Sequence, residues 1–400
     1  RRESIKPSGK RHATRMRYRT GVTANGLITA VEARIMARGG AYASVEEAVI
    51  LRSSSFAAGP YTVPAADIKA RAVYQNHAPA CAMRGFGNPV VTFGSEMTMN
   101  RIADALGIDP VELRLRNALE AGKPTLTGDR PSTSVGIREC LEAVRDFLSG
   151  YALPEPDEGW ASGIGIACSY KNVGFGLGMD DSGGAIGEIL PDGTLLLRLG
   201  SVDMGQGSNS AMAQILSART GWPFGRIRVH AADSLLDPPA GMTTASRQTF
   251  ITGNAVLRMA DSLNDEIARF IRDEFGLPGN ANRPGLPGGK AAGGGVEESA
   301  GSGGPAGRTG VNVVGDAPAF RLELRDRIFR DAATGRPVLS LEDFIAAVNR
   351  KGTRVAASAR YSAPATSFSL KEPPAGHTDP TRGRLHAAYC FAAQAAALSV

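Results

Sequence analysis

Cysteine, histidine and aromatic residues are scarce in this sequence of 400 residues: four Cys, five His and an aromatic share of 6%. Cys81, Cys140, Cys168 and Cys390 lie too far apart for any Cys-x-x-Cys pair, and no spacing suits a zinc or iron–sulfur site, so no redox cluster is expected on this chain. They read as reduced thiols of a cytosolic-type compartment, with two disulfides as the alternative, because a chain of this size builds its core without staples. The histidines are dispersed and form no His-Glu-x-x-His, so no protein-ligated metal is expected. No run approaches the ~20 apolar residues that cross a bilayer, which excludes an apolar spanning helix. An excess of one charge is also missing, since 45 Lys+Arg stand against 39 Asp+Glu for a net +6. The basic residues are scattered with no aromatic ladder between them, the pattern of a solvated surface rather than a nucleic-acid interface. There is no initiator Met before Arg1-Arg2-Glu3-Ser4, and no apolar stretch follows the arginine pair as an export signal requires. The beginning reads as cut or missing.

What is abundant is apolar surface, at 42%, and glycine, at 49 residues. The length allows two or three domains. Residues 13–37 alternate as two strands around Ala24-Asn25-Gly26, where Asn-Gly suits the positive φ angles of a tight hairpin. An irregular region runs to Pro64, a strand covers 67–74, and Pro89 opens a helix to Leu106 that Gly107 ends. Asp109-Pro110-Val111-Glu112 starts the next helix with an N-cap, a first-turn proline and an acid. Ser134 is expected to cap an amphipathic helix to Leu148, and Pro154-Glu155-Pro156-Asp157 reads as a linker. Strands are expected at 162–170, 184–190, 194–200 and 226–232, with Met204-Gly205-Gln206-Gly207 leading into a helix to about Thr220 closed by Gly221. A loop at 233–243 then leads to a long helix from Ser246 to Phe275. Residues 276–310 hold 13 glycines and 4 prolines and read as a flexible surface insertion. Ser340 caps a short helix to Gly352, and strands follow at 353–361 and 385–391. The fold class is α+β, two mixed subdomains with mixed sheets, divided at 1–150 and 151–400.

Glycine-rich turns carry the candidate chemistry. Met204-Gly205-Gln206-Gly207 joins a strand to a helix, a place where backbone N–H groups and the helix dipole hold an anion, although it is equally a tight turn. Thr243-Thr244-Ala245-Ser246 offers hydroxyls before a helix, or a plain N-cap. Arg84-Gly85-Phe86-Gly87 sets a cation and a ring among glycines that permit close backbone approach. Gly174-Phe175-Gly176-Leu177-Gly178 is an aromatic-bearing loop, and Arg52 lies in the run Ile50-Leu51-Arg52-Ser53.

In order, Gly39-Gly40-Ala41-Tyr42, Arg84-Gly85-Phe86-Gly87-Asn88-Pro89, Glu96, Ile102 to Pro110, Asn117, Asp203 to Gly207, Thr243 to Arg247 and Gly253-Asn254-Ala255 make a series. This series resembles the large, molybdenum-cofactor-binding subunit of the xanthine dehydrogenase and aldehyde oxidase family, over nearly the whole chain except the glycine-rich insertion. The resemblance implies a cytoplasmic molybdenum hydroxylase with a molybdenum-pyranopterin, either molybdopterin or its cytosine dinucleotide. It also implies water as oxygen source and electrons leaving through iron–sulfur clusters to FAD on other subunits or domains. By the same similarity Met204, Gly205, Gln206, Gly207, Thr244, Ala245 and Ser246 hold the pyranopterin and its phosphate, and Arg84, Gly85 and Gly87 pack near the metal end. Phe86 and Phe175 match two rings that sandwich a flat heterocycle. Arg52 matches an arginine that orients substrate and stabilises charge on the ring, a catalytic as well as a binding role. The substrate class so implied is a purine such as xanthine or hypoxanthine. The family alternatives are an aldehyde or another N-heteroaromatic, and a homodimer of the full assembly is expected.

Two family segments are not in this sequence: a phenylalanine-bearing glycine loop upstream, and a Gly-Glu segment downstream that carries the base. The expectation is therefore an internal piece of a longer chain, inactive alone, since such a base contributes ~10²–10⁴-fold. A scaffold that kept the fold and lost catalysis is the alternative from another class.

Overall fold

The computed structural model describes residues 2–277, apart from 43, 132–133, 154, 156–158 and 177, and residues 321–399, apart from 365, 367–385 and 387. The chain forms two compact units: Arg1–Gly183 with Gly241–Thr252 and Tyr361–Val400, and Gly184–Ala240 with Gly253–Arg360. The helices are α1 (Arg2–Ile5), α2 (Glu46–Ser55), α3 (Asn88–Leu106), α4 (Pro110–Asn117), α5 (Ile137–Ser149), α6 (Ser208–Thr220), α7 (Gly253–Phe275) and α8 (Leu341–Lys351). The strands are β1 (Thr14–Val22), β2 (Ile28–Gly40), β3 (Ala66–Tyr74), β4 (Ser162–Val173), β5 (Ser182–Ile189), β6 (Leu195–Leu199), β7 (Ile227–Ala231), β8 (Leu322–Arg325), β9 (Ile328–Asp331), β10 (Pro337–Ser340), β11 (Ala356–Ser362) and β12 (Ala388–Ser399).

In the first unit β1 and β2 are antiparallel while β2 and β3 run parallel. The alternating exposure of β1 and the buried Val31, Ala33, Ile35 and Ala37 of β2 give the sheet one apolar face. The hairpin differs from the expected two-residue turn. Thr23 N–H bonds Leu27 O at 2.9 Å and Gly26 N–H bonds Thr23 O at 2.9 Å, so the loop is longer, and only Gly26, not Asn25, has a positive φ. Asn117 explains the longer loop: its carboxamide accepts from Ile28 N–H and donates to Gly26 O and Leu113 O, each at 2.8 Å, so it binds the turn to α4. A two-stranded ribbon of β4 and β12, in antiparallel register from Ser162 with Ser399 to Val173 with Ala388, completes the unit. Against it α5 buries Ile137 and Leu141.

The centre of this unit is charged. Glu96 on α3, 4% exposed, accepts from Tyr61 OH at 2.6 Å on one oxygen. Its other oxygen accepts from Arg114 Nε at 2.9 Å and Cys168 N–H at 2.7 Å. Arg114, fully buried on α4, also donates to Asn100 Oδ1, Ile166 O and Pro110 O. Such a pair holds only because its hydrogen-bonding capacity is used.

In the second unit the sheet order is β11-β5-β6-β7. The Pro191-Asp192-Gly193 turn joins antiparallel β5 and β6, and α6 makes the crossover to β7, parallel to β6. Helices α6 and α7 bury Met212, Leu216, Val256, Met259 and Leu263. A smaller sheet, β10-β9-β8, sets Phe329 against Phe344 of α8, with ring centroids 5.2 Å apart.

Several expectations shift. The stretch to Pro64 contains α2, whose polar Glu46, Arg52, Ser53 and Ser55 are buried, so no amphipathic pattern announced it. Helix α5 starts at Ile137 behind Gly136 without a side-chain cap, rather than at Ser134. The long helix begins at Gly253, after a π-helical turn over Gln248–Thr252, because Ala245 and Ser246 adopt left-handed φ values of 47° and 53°. The β8–β10 meander and the extension of β12 to Ser399 were not expected from the sequence, whereas Ser340 caps α8 as read, accepting from Asp343 N–H at 3.1 Å. All four cysteines are free thiols, and burial pushes the Cys168 thiol up to about 12. The glycine-rich insertion from residue 278 onward and most of the 154–157 linker lie outside the described residues.

Removing Arg114 alone strands the Glu96 carboxylate. Arg114→Met should lower unfolding stability by about 3–5 kcal/mol in urea melts, and adding Glu96→Leu should recover most of it. A loss under about 1 kcal/mol for the single variant would contradict a central role for the pair.

Candidate functional site

The three glycine-rich turns that the sequence singles out all use left-handed backbone. Gly85, Phe86 and Gly87 have φ values of 91°, 49° and 89°, a run that costs a side-chain-bearing residue such as Phe86 ~1–2 kcal/mol. The loop is held by Phe86 N–H to Met83 O at 2.7 Å, Asn88 N–H to Gly85 O at 3.1 Å, and Arg11 Nη2 to Arg84 O at 2.7 Å. A Cβ on Gly87 would lie 2.5 Å from both Val49 O and Ser53 Oγ, so this loop can rest on α2 only with glycine there. Asn88 Nδ2 then donates to Ser169 Oγ at 3.0 Å and Tyr170 O at 3.1 Å and ties the start of α3 to β4. The Arg84 side chain is exposed and that of Phe86 half-buried.

Next to Ser53 on α2, Arg52 is 7% exposed. Its Nη2 donates to Phe175 O and its Nη1 bonds His386 Nε2 at 2.9 Å. Burial lowers Arg52 to about 10, so it stays charged at neutral pH. Burial, with Arg52 and Lys171 beside it, lowers His386 to about 2 and keeps that ring neutral as an acceptor. Lys171 of β4, brought down to about 7 mainly by burial and then by Arg52, sits with Nζ 4.8 Å from the centre of the Phe56 ring.

Phe175 is fixed by a second buried ion pair. Asp181 accepts from Phe175 N–H and Arg247 Nε, each at 2.7 Å, on different oxygens. Arg247, 1% exposed, also donates to Met242 O and Ser182 O and lies 4.8 Å over the Phe175 ring. A Cβ on Gly174 would lie 2.4 Å from Asp181 Oδ2, so glycine is required there. Gly174 N–H bonds Ala245 O at 3.0 Å, which attaches the Thr244-Ala245-Ser246 turn to the Phe175 loop.

Within the first unit the structure therefore brings together Arg52, Phe175 and Thr244–Ser246, and Gly87 rests against the helix that carries Arg52. Among the described residues no ring contact joins Phe86 to Phe175. Asp181, Lys171 and His386 were not singled out from the sequence. Asp181 left a faint signal as an acid closing a glycine loop, and the other two left none.

Met204–Gly207 belongs to the second unit. The expected anion cradle is partly filled by the protein itself: Asp203 accepts from Gly205 N–H at 2.8 Å, Gly207 N–H at 3.3 Å and Asn209 N–H at 3.0 Å. Gln206 Oε1 takes Met204 N–H at 2.5 Å, and its Nε2 donates to Val202 O and Ser208 Oγ. Gly205 and Gly207, with φ of 95° and 81°, would seat a Cβ with nothing within 4 Å, so the turn presents an open backbone face. With Asp203 on these amides, an anion is disfavoured there. The Thr244–Ser246 turn carries two hydroxyls and the left-handed residues Ala245 and Ser246.

Two stretches match the molybdopterin cofactor-binding domain families, residues 1–118 to one and residues 149–282 to another. The xanthine dehydrogenase molybdenum-binding subunit of Escherichia coli O157:H7 is 31% identical over 264 residues, covering 64% of this chain and 35% of that protein. The nicotinate dehydrogenase large molybdopterin subunit of Eubacterium barkeri is 41% identical over 146 residues, 36% of this chain and 34% of its own. Quinoline 2-oxidoreductase from Pseudomonas putida 86 superposes with a TM-score of 0.69 at 16% identity, over 98% of this chain and 46% of that one. Aldehyde oxidoreductase from Desulfovibrio gigas gives 0.68 at 20%, over 98% and 35%, and these two establish likeness of fold. The chain spans about a third of the length of the curated relatives it matches. No helix among the described residues is long and apolar enough to cross a membrane.

The N–H bonds hold the Asp203 carboxyl below its usual range, so the stability it lends the α6 entrance is complete above ~3.9 and is lost as pH falls through the lower folded value. Carboxyl-carbon NMR should place its midpoint below that of a free aspartate, and amide exchange at Gly205 and Asn209 should rise only below that midpoint. Exchange that rises already at pH 5 would contradict the cap.

Proposed function

The chain belongs to the xanthine dehydrogenase and aldehyde oxidase family of molybdenum hydroxylases, and we propose that it is the cofactor-binding part of an enzyme that hydroxylates a purine-like N-heterocycle such as xanthine or hypoxanthine, with water as oxygen source. The observation that carries the reading is the coupling of Arg52 to Phe175, which fixes a buried cation at the backbone carbonyl of an aromatic residue. A flat ring stacked on Phe175, with Phe86 as the second wall, would be oriented by the guanidinium, which also stabilises negative charge gathering on the ring as oxygen is added. Asp181 and Arg247 hold Phe175 in advance, so little ordering remains when substrate binds.

Residues 1–150 and 151–400 are read as the two cofactor-binding domains. The donor sets fit a molybdenum-pyranopterin, as molybdopterin or its cytosine dinucleotide. Met204, Gly205, Gln206 and Gly207 offer an open backbone and a carboxamide to a pterin edge, Thr244, Ala245 and Ser246 offer hydroxyls and N–H groups to a phosphate, and Arg84, Gly85 and Gly87 allow close approach. When bound, that group supplies the two-electron acceptor for the reaction. Iron–sulfur and FAD subunits or domains as electron carriers, a homodimeric assembly and a cytoplasmic location complete the proposal. The similarity to a nicotinate dehydrogenase subunit supports a second reading, another N-heteroaromatic as substrate.

In the purified enzyme, Arg52→Ala should lower kcat/KM for xanthine by ~10²–10³-fold, the usual effect of losing one preorganised electrostatic group. Unchanged kcat/KM would contradict the assignment. A panel of purine, pyridine and quinoline heterocycles and aldehydes would show the preferred class by relative kcat/KM, and no turnover of any of them would favour a scaffold.

A further inference from the structure

The Gly39-Gly40-Ala41-Tyr42 run at the end of β2 seats an acidic side chain. A Cβ on Gly39 would lie 3.0 Å from Glu46 Cγ, and one on Gly40, with φ of 94°, would lie 2.6 Å from Pro79 Cα, so the two glycines let the first turn of α2 and the 78–80 segment close on the strand. Glu46 is 7% exposed; Oε2 accepts from Ser44 N–H, and Oε1 has no hydrogen-bonding partner among the described residues. Two more buried polar atoms share that condition: His12 Nε2, on a residue 5% exposed, and Arg11 Nη1. The three groups form one neighbourhood, since burial lowers the His12 pKa, Glu46 opposes that shift and Arg11 adds to it. Between Arg11, His12, Val49, Ser53 and Gly87 lies a cavity of about 10 Å³. Leaving buried donors and acceptors unpaired is costly, and one shared partner satisfies all three.

We propose that Arg11 Nη1, His12 Nε2 and Glu46 Oε1 bind one water molecule that ties α2 to the Arg84–Gly87 loop. The size and chemistry of the place select that ligand. Its volume suits a single water, and three polar partners are the usual complement of a buried one. A guanidinium among the partners opposes a metal cation, and an acidic side chain opposes an anion. No group of three His, Cys, Asp or Glu among the described residues could hold a metal ion. The water accepts from Arg11 and donates to Glu46, and its remaining bond goes to the imidazole, which its lowered pKa keeps neutral at pH 7. Arg11 transmits the restraint, because its Nη2 donates to Arg84 O at 2.7 Å. At the other end of the loop, Ser53 Oγ of α2 donates to Gly87 O at 3.3 Å. Arg11, His12 and Glu46 are thus positioning residues for a loop read as packing near the metal end of the cofactor. The water site itself does not depend on that reading.

The test is a crystal structure of the purified enzyme at a resolution that shows ordered water, together with hydrogen–deuterium exchange at Phe86 and Asn88, whose amides close the loop on Met83 O and Gly85 O. One water is expected within ~3.2 Å of all three atoms. Glu46→Leu and His12→Leu, on different segments, should each speed exchange at those two amides by at least about threefold, the worth of one bridging hydrogen bond, while α7 keeps its protection. Glu46→Gln offers a hydrogen-bonding group to both Ser44 and the water and should keep exchange slow. Because Gln and Leu fill similar space, that difference separates a polar tether from packing. No density at that place, direct bonds among the three groups, or equal exchange in Glu46→Gln and Glu46→Leu would overturn the proposal. Should a Leu variant lose protection throughout, the water in the wild-type and Glu46→Gln structures decides it. Neither readout needs turnover, so absence of the water leaves the proposed reaction standing, and absence of heterocycle hydroxylation leaves the water site standing.

Discussion

The Glu96 carboxylate is the constraint on which the first unit depends. It joins α3, α4, Tyr61 and the backbone of β4 at one buried point, and a carboxylate there is tolerable only with all of those partners in place. Eight residues earlier on α3, ~12 Å at the helical rise, Asn88 pins the same helix to the same strand at Ser169 and Tyr170. Two polar pins on one rigid helix fix its register against β4. The loop before α3, Arg84–Gly87, and the far end of β4, which delivers Lys171 and Phe175, are positioned as a consequence. The candidate site residues sit at the ends of elements that a buried charge network aligns.

The same logic recurs at Asp181 and Arg247. Phe175 is held from three sides, its N–H by Asp181 and its ring by Arg247 of that pair, and its carbonyl by Arg52. A loop of glycines would otherwise leave the ring free to move, so the glycines supply the close approaches and the ion pair supplies the rigidity. In the second unit Asp203 plays a comparable part at the entrance of α6, using its own carboxylate on amides that the glycine pattern suggested for a ligand.

Much of this was legible in the sequence where local signals decide the outcome. The Asp109-Pro110 entry to α4, the Gly107 and Gly221 helix ends and the Ser340 cap follow from short-range chemistry, and the ordered glycine motifs pointed to the cofactor-binding fold. What was not legible depends on partners distant in the chain. Helix α2 is stabilised by burial of Arg52 and Ser53 against residues 87, 175 and 386, so its sequence has no clean apolar stripe. The late start of α7 reflects the left-handed Ala245 and Ser246, held where Gly174 takes the Ala245 carbonyl. Lys171 and His386 gave no warning because their roles come from strand pairing between β4 and β12, more than two hundred residues apart. The shortage of cysteine, first a reason to doubt redox chemistry, fits a chain whose electron carriers are proposed to lie elsewhere.

The central claim is that these turns and ion pairs hold a molybdenum-pyranopterin. The most direct measurement is molybdenum by inductively coupled plasma mass spectrometry, together with the fluorescence of oxidised pterin released from the purified protein. One molybdenum and one pterin per chain are predicted. Protein that is folded and free of both, after expression in a host that makes the cofactor, would contradict the account.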